Sequence, residues 1–85
     1  RLLHNTAPYD LIVANILAGP LRELAPTLAR HLSPGGYVIL SGLLAVQERE
    51  VAVAFGGHGL IRWRRVALNG WVTLILHDQR RVKRR

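Results

Sequence analysis

Residues 9–40 read YDLIVANILAGPLRELAPTLARHLSPGGYVIL, and their hydrophobic period changes twice. From 11 to 16 the run LIVANI is apolar at odd and even positions alike. A strand covered on both faces reads this way, which favours a parallel sheet between helices over a half-exposed one. A helix follows. Pro20 suits its first position, and Glu23 in the opening turns complements the positive end of the helix dipole. Leu21, Leu24, Leu28 and Leu32 then share one stripe, with Ala25 and Ala29 beside it and Arg30 and His31 at the end. Pro26 removes the bond to residue 22 and predicts a kink. Ser33-Pro34-Gly35-Gly36 stops the helix, and residues 37–40, YVIL, form a second short strand. Strand, helix and strand make a βαβ unit, whose crossover is right-handed.

The rest of the chain extends the sheet. A second helix is predicted over residues 44–55, apolar at Leu44, Val51 and Phe55 and polar at Gln47, Glu48, Arg49 and Glu50. It ends in Gly56-Gly57-His58-Gly59. Residues 60–68 and 71–77 are β-rich runs joined by Asn69-Gly70, the strongest short hairpin signal. The first run carries Arg62, Arg64 and Arg65, which suits an edge strand. The second, WVTLIL, is almost uninterruptedly apolar and belongs inside a sheet. The expected order is therefore strand one, two, four, three, with the last strand antiparallel to both neighbours. The class is α/β.

Composition narrows the rest. A chain of 85 residues holds at most one domain, and 49% hydrophobic content excludes disorder. Its apolar runs fall short of the ~20 residues a membrane-spanning helix needs, and no signal-peptide pattern opens it. There is no Cys, which excludes disulfides and thiolate metal sites and fits a cytoplasmic location. The chain has no Met and starts at Arg1, so it reads as a fragment or a processed piece. The formal charge is +7, but residues 80–85, RRVKRR, hold five of the twelve basic residues. Without them, seven basic residues face five acidic ones. Residues 1–78 are thus expected to fold, and 79–85 to form a disordered basic tail. Clustered Arg and Lys attract RNA phosphates, which makes weak RNA contact a partner expectation for that tail. A solvated terminus is the more ordinary outcome.

Among single residues, Asn15 stands out. It interrupts an apolar strand where a helix is about to begin. Taken on spacing alone, it is a turn residue whose amide bonds nearby backbone N–H groups. Ser41-Gly42 follows the second strand on the same carboxyl edge, where ligands bind in open α/β sheets. His4, His31, His58 and His77 show no metal spacing and read as surface or loop residues. Asp10 reads as a turn residue before the first strand, and Trp63 and Trp71 as packing groups of the hairpin.

YDLIVANILAGPLRELAP, then LSPGG, then LSGLL, then a Gln-Glu-rich helix and a hairpin ending GWVTLIL closely resemble the ribosomal protein L-eleven methyltransferases of the PrmA type. The resemblance covers about residues 8–77. It implies the C-terminal half of a Rossmann-like class I S-adenosylmethionine-dependent methyltransferase fold, a mixed sheet with a terminal antiparallel hairpin. It also implies methylation of amino groups of a ribosomal protein, with S-adenosyl-L-methionine as cofactor. In such enzymes the matching Asn contacts the methionine moiety and helps orient the amine. The resemblance thus makes Asn15, Ile16 and Leu17 the catalytic segment, and Asn15 a cofactor-binding residue.

Two departures accompany it. The family's glycine-rich cofactor loop and ribose-gripping acidic residue lie before the matched stretch, and neither occurs in residues 1–85. The isolated chain is therefore expected to be inactive. Acidic residues usual before the hairpin Trp are replaced here by Leu68-Asn69-Gly70. The rival reading is a non-catalytic basic α/β module that binds RNA or a partner protein. A further expectation is self-association through the exposed edge of the first strand.

Overall fold

The computed structural model describes residues 8–80. Its first strand, β1 (Tyr9–Ala14), is followed by helix α1 (Ala18–His31). The helix begins two residues before Pro20, with Leu17 as its cap and no side-chain bond at the cap. Its first backbone bond runs from Leu21 N–H to the Leu17 carbonyl, 2.9 Å. Pro20 is thus the third helical residue, still among those whose N–H has no intrahelical partner, so the earlier start loses no bond. Strand β1 correspondingly stops at Ala14, and Asn15–Leu17 becomes the connection. Helix α1 continues through Pro26 and buries Ala18, Leu21, Ala25, Leu28 and Ala29.

Strand β2 (Leu32–Leu44) is longer than the expected YVIL. Its regular parallel pairing with β1 runs from Leu11 opposite Tyr37 to Ala14 opposite Leu40. Residues 33–36 are out of step because Tyr9 already pairs with Leu32. Here Gly36 passes so near β1 that a Cβ would stand 2.9 Å from the Asp10 carbonyl oxygen. The SPGG segment therefore ends the helix and begins the sheet at once. Asp10, read as a turn residue, lies within β1.

A single 3₁₀ turn, Ala45–Gln47, leads into helix α2 (Glu48–Gly56). The predicted helix over 44–55 is thus split, with the Leu44 N–H donating to Gln47 Oε1 at 3.0 Å. Strands β3 (Leu60–Leu68) and β4 (Trp71–Asp78) complete the sheet. Between them Asn69 and Gly70 have φ of 52° and 82°, the double positive φ of a type I′ hairpin turn. The sheet order is β1-β2-β4-β3, and β4 is antiparallel to both neighbours, as expected.

One face of this sheet carries the core. Ile12, Ala14, Val38, Leu40, Leu43, Val72, Leu74 and Leu76 pack there with Leu21, Leu28, Val51 and Phe55 of the helices. Burial of this kind contributes roughly 25 cal/mol per Å² of apolar surface. On the other face Leu11 and Val13 are 53% and 52% exposed. The sequence had read β1 as covered on both sides. Within the described residues it is covered on one, because α1 and α2 pack into a single core cluster.

Two bulges set which residues share a face. In β2, Leu40 pairs with Leu74 and Leu43 with Val72, so β2 spends one residue more than its partner. Gly42, φ 80°, lies in that bulge, and the odd spacing leaves both leucines buried. In β3 the extra residue is Trp63, between Arg62 opposite Leu76 and Arg64 opposite Ile75. Residues three apart on a regular strand face opposite ways. The bulge reverses that, and Arg62 and Arg65 come to one side.

Candidate active site

Asn15 is the first residue beyond the carboxyl end of β1, and the neighbouring carboxyl end of the parallel β2 carries Ser41 and Gly42. The two ends meet through the Asn15 amide. A Cβ on Gly42 would stand 2.5 Å from Asn15 Oδ1, and among the described residues, its chain neighbours apart, only Asn15 lies within 4 Å of that point. The Asn15 side chain is exposed. Among the described residues it forms no hydrogen bond, and α1 starts without a side-chain cap. The backbone-bonding turn role expected from spacing is therefore not the one adopted. An amide with one acceptor and two donors is left available to an external group.

Ile16 and Leu17 follow on the same edge and are 36% and 76% exposed. They form an apolar surface beside the amide. The Leu17 carbonyl is committed to the first bond of α1. The hairpin turn approaches from the far side of the edge, where the Ala45 N–H donates to the Gly70 carbonyl at 2.9 Å. Ser41-Gly42 was read as following the second strand on the ligand-binding carboxyl edge, with no particular role for Gly42. Its positive φ and its contact with Asn15 follow from the bulge, for which the sequence signal was a glycine just past a parallel strand.

Charges gather elsewhere. Glu48 receives Arg65 Nε at 2.8 Å and Nη2 at 2.7 Å, and Arg62 Nη1 at 3.2 Å. The Arg65 hydrogen bonds hold the Glu48 carboxyl below the usual carboxylate range, against a smaller opposing effect of burial. These residues line a concavity of about 540 Å³ with Arg49 and Val53, but none of Asn15, Ile16, Leu17, Ser41 or Gly42 does. Its carboxylate is already used by the two arginines, so it presents no free acid or base. The sequence had read Glu48 as merely solvated.

The opposite edge of the sheet is closed by Asp78, 2% exposed. Burial pushes its carboxyl up, but bonds from the Arg80 side chain and backbone, the Arg80 charge and the Gly35 N–H outweigh this and leave it lowered. Arg80 Nε lies 2.7 Å from Asp78 Oδ1, and Arg80 Nη2 also donates to the Ala29 carbonyl at 2.9 Å. Gln79 N–H donates to the Gly59 carbonyl. Residues 79 and 80, expected in the disordered tail, are thus tied to the body. Residues 81–85, and with them the remaining basic tail and its expected RNA contact, lie outside the described residues, as does His4.

Of the other histidines, His58 lies exposed in the turn before β3, as expected, whereas His31 and His77 lie within regular elements. His31 Nδ1 lies 2.8 Å from the Thr27 carbonyl within α1. His77 is in β4, its ring 4.6 Å from that of Tyr37, which also meets Trp63 edge-on at 5.3 Å. Trp63 therefore packs across the open sheet face, and both it and Trp71 are half exposed. Among the described residues no group of His, Asp and Glu could hold a metal ion. No helix among them is long and apolar enough to cross a membrane.

The family model described as Ribosomal protein L11 methyltransferase (PrmA) matches residues 1–79. The chain belongs to the ribosomal protein L11 methyltransferase family. A relative of that name from Allorhizobium ampelinum is 53% identical over 78 residues, 86% of this chain. Another, from Bradyrhizobium diazoefficiens, is 52% identical over 69 residues. The chain spans 27% and 23% of these two relatives' lengths. Among solved structures, a ribosomal protein L11 methylase from Lactobacillus delbrueckii subsp. bulgaricus superposes with a TM-score of 0.82 at 32% identity, over 89% of this chain and 40% of that one. An RNA methyltransferase from Salinibacter ruber, solved with S-adenosyl-L-homocysteine, gives a TM-score of 0.61 at 18% identity, over 87% and 40%. At that identity the likeness shows the methyltransferase fold alone. The chain's four strands and two helices form part of a class I methyltransferase fold.

Proposed function

We propose that the chain is the C-terminal part of an S-adenosylmethionine-dependent protein methyltransferase acting on amino groups of a ribosomal protein. The observation that carries this reading is the exposed Asn15 amide, unbonded within the described residues, on the carboxyl edge between two parallel strands. S-Adenosylmethionine supplies an electrophilic methyl on a sulfonium sulfur. The amine must arrive neutral, with its lone pair aimed at that carbon, and positioning supplies much of the rate. The Asn15 carbonyl oxygen can accept an amine N–H and fix that aim without adding a charge. Its Nδ2 hydrogens remain for the carboxylate of the methionine moiety, so the residue fits both expected contacts. Ile16 and Leu17 would shield the edge from water. The family's glycine-rich loop is absent from residues 1–85, so this chain alone is proposed to be inactive, and a ribosomal substrate places it in the cytoplasm.

The test uses a chimera in which residues 8–80 replace the matching segment of the full-length Allorhizobium ampelinum relative. The chimera is expected to methylate a ribosomal protein substrate, and the 85-residue chain to transfer no methyl. Asn15→Ala and Asn15→Asp are expected to lower kcat about 100-fold with an unchanged circular dichroism spectrum. Undiminished methylation by both variants would overturn the reading.

A further inference from the structure

We infer that Gly42 is a positioning residue for the methyl transfer proposed above: its missing side chain leaves the space that the Asn15 amide occupies. The inference rests on the reading of Asn15 as the amine-orienting group. Three observations meet at this point. Gly42 sits in the β2 bulge at φ 80°. The position a Cβ would take is 2.5 Å from Asn15 Oδ1 and 3.6 Å from Asn15 Cγ, and no other described residue apart from its chain neighbours comes within 4 Å. No hydrogen bond within the described residues holds the Asn15 amide, so its position depends on the space that Gly42 leaves open.

The consequence is specific. Ordinary contact starts at 3.4 Å, so any side chain at 42 drives Oδ1 away by about 0.9 Å. The displaced atom is the free end of a side chain, and the backbone of both strands can stay where it is. A misplacement of about 1 Å at a reacting centre costs on the order of 100-fold in rate. The bulge therefore leaves open the position taken by an amide just beyond the end of a different strand. Bulges next to active sites re-aim side chains in this manner.

The decisive experiment separates strain from displacement. Gly35 also has a positive φ, 82°, but a Cβ there meets nothing within 4 Å. Gly35→Ala thus carries the same backbone penalty with no effect on Asn15. In the ¹⁵N-labelled 85-residue chain, the Asn15 side-chain amide signals, assigned through Asn15→Ala, are expected to move in Gly42→Ala and to stay in Gly35→Ala. Signals that stay in Gly42→Ala overturn the inference, whatever Asn15 does in catalysis. In the chimera, Gly42→Ala is expected to lower kcat about 10- to 100-fold with the substrate KM nearly unchanged, and Gly35→Ala to leave both alone. In an Asn15→Ala background, Gly42→Ala should have no further effect, and a full additional loss would also overturn the inference. Should Gly42→Ala fail to fold, Gly42→Asn places a Cβ at the same point with a residue that tolerates positive φ. If Asn15→Ala alone methylates normally, the catalytic role of Asn15 falls, and the amide signals still decide whether Gly42 sets its position.

Discussion

Asp78 shows how a single charge is held inside this chain. It is almost fully buried, and a carboxylate there is tolerable only because Arg80 and the Gly35 N–H bond it. Its folded pKa lies below the ordinary 3.8. The stabilisation it brings is therefore complete above that value and is lost as pH falls through the folded one. Asp78→Ala is expected to cost about 1–3 kcal/mol at neutral pH. Thermal melts below about pH 4 should show the difference from the parent chain shrinking. Sequence reading did not reach this residue, because nothing marks which Asp a fold will bury. The position of Asn15 at the carboxyl end of the first strand was legible. What stayed hidden was its lack of a partner, which depends on Leu17 rather than Asn15 capping α1.

At the scale of elements, Glu48 fastens the edge hairpin to the helical layer. The first residue of α2 reaches two arginines of β3 that a straight strand would have sent to opposite faces. Both arginines are well exposed, with side-chain accessibilities of 54% and 41%, so solvent weakens the attraction. Glu48→Gln is expected to lower stability by less than about 1 kcal/mol, and the loss should shrink in high salt, as denaturant titrations at two ionic strengths would report. The hairpin itself was plain in the sequence, since Asn69-Gly70 permits the positive φ that its turn requires. The bulges were not. An added residue changes no local composition, and strand periodicity counted through Trp63 assigns Arg65 to the wrong side. The early start of α1 was hidden for a similar reason, since an apolar Leu17 carries no capping signal.

For the whole molecule, strand order followed from the contrast between an arginine-bearing run and an apolar one, and the structure has that order. Two-sided coverage was read from LIVANI, yet the described residues cover one side of β1 only. The apolar character of the other side remains a fact to be accommodated. Among the described residues β1 has one sheet neighbour, and Leu11 and Val13 stand exposed beside the free edge. We propose that the 85-residue chain pairs with a second copy there. Sedimentation velocity at high concentration should show a dimer, and Leu11→Lys with Val13→Lys should return the monomer; a clean monomer in the parent chain would count against it.

The Asp78–Arg80 clasp gives the two ends of the sheet unequal freedom to open. On its side, one carboxylate gathers β4 and β2, while the same arginine holds the end of α1. Opening any one of these strands there means releasing the others, so fluctuations at that end draw on the cooperative stability of the entire unit. At the Asn15 end the Ala45 N–H to Gly70 carbonyl bond joins the turn after β2 to the hairpin, but no side-chain bond among the described residues holds the connection between β1 and α1. Local opening is therefore expected to be easier at the connection between β1 and α1 than at the Asp78 end.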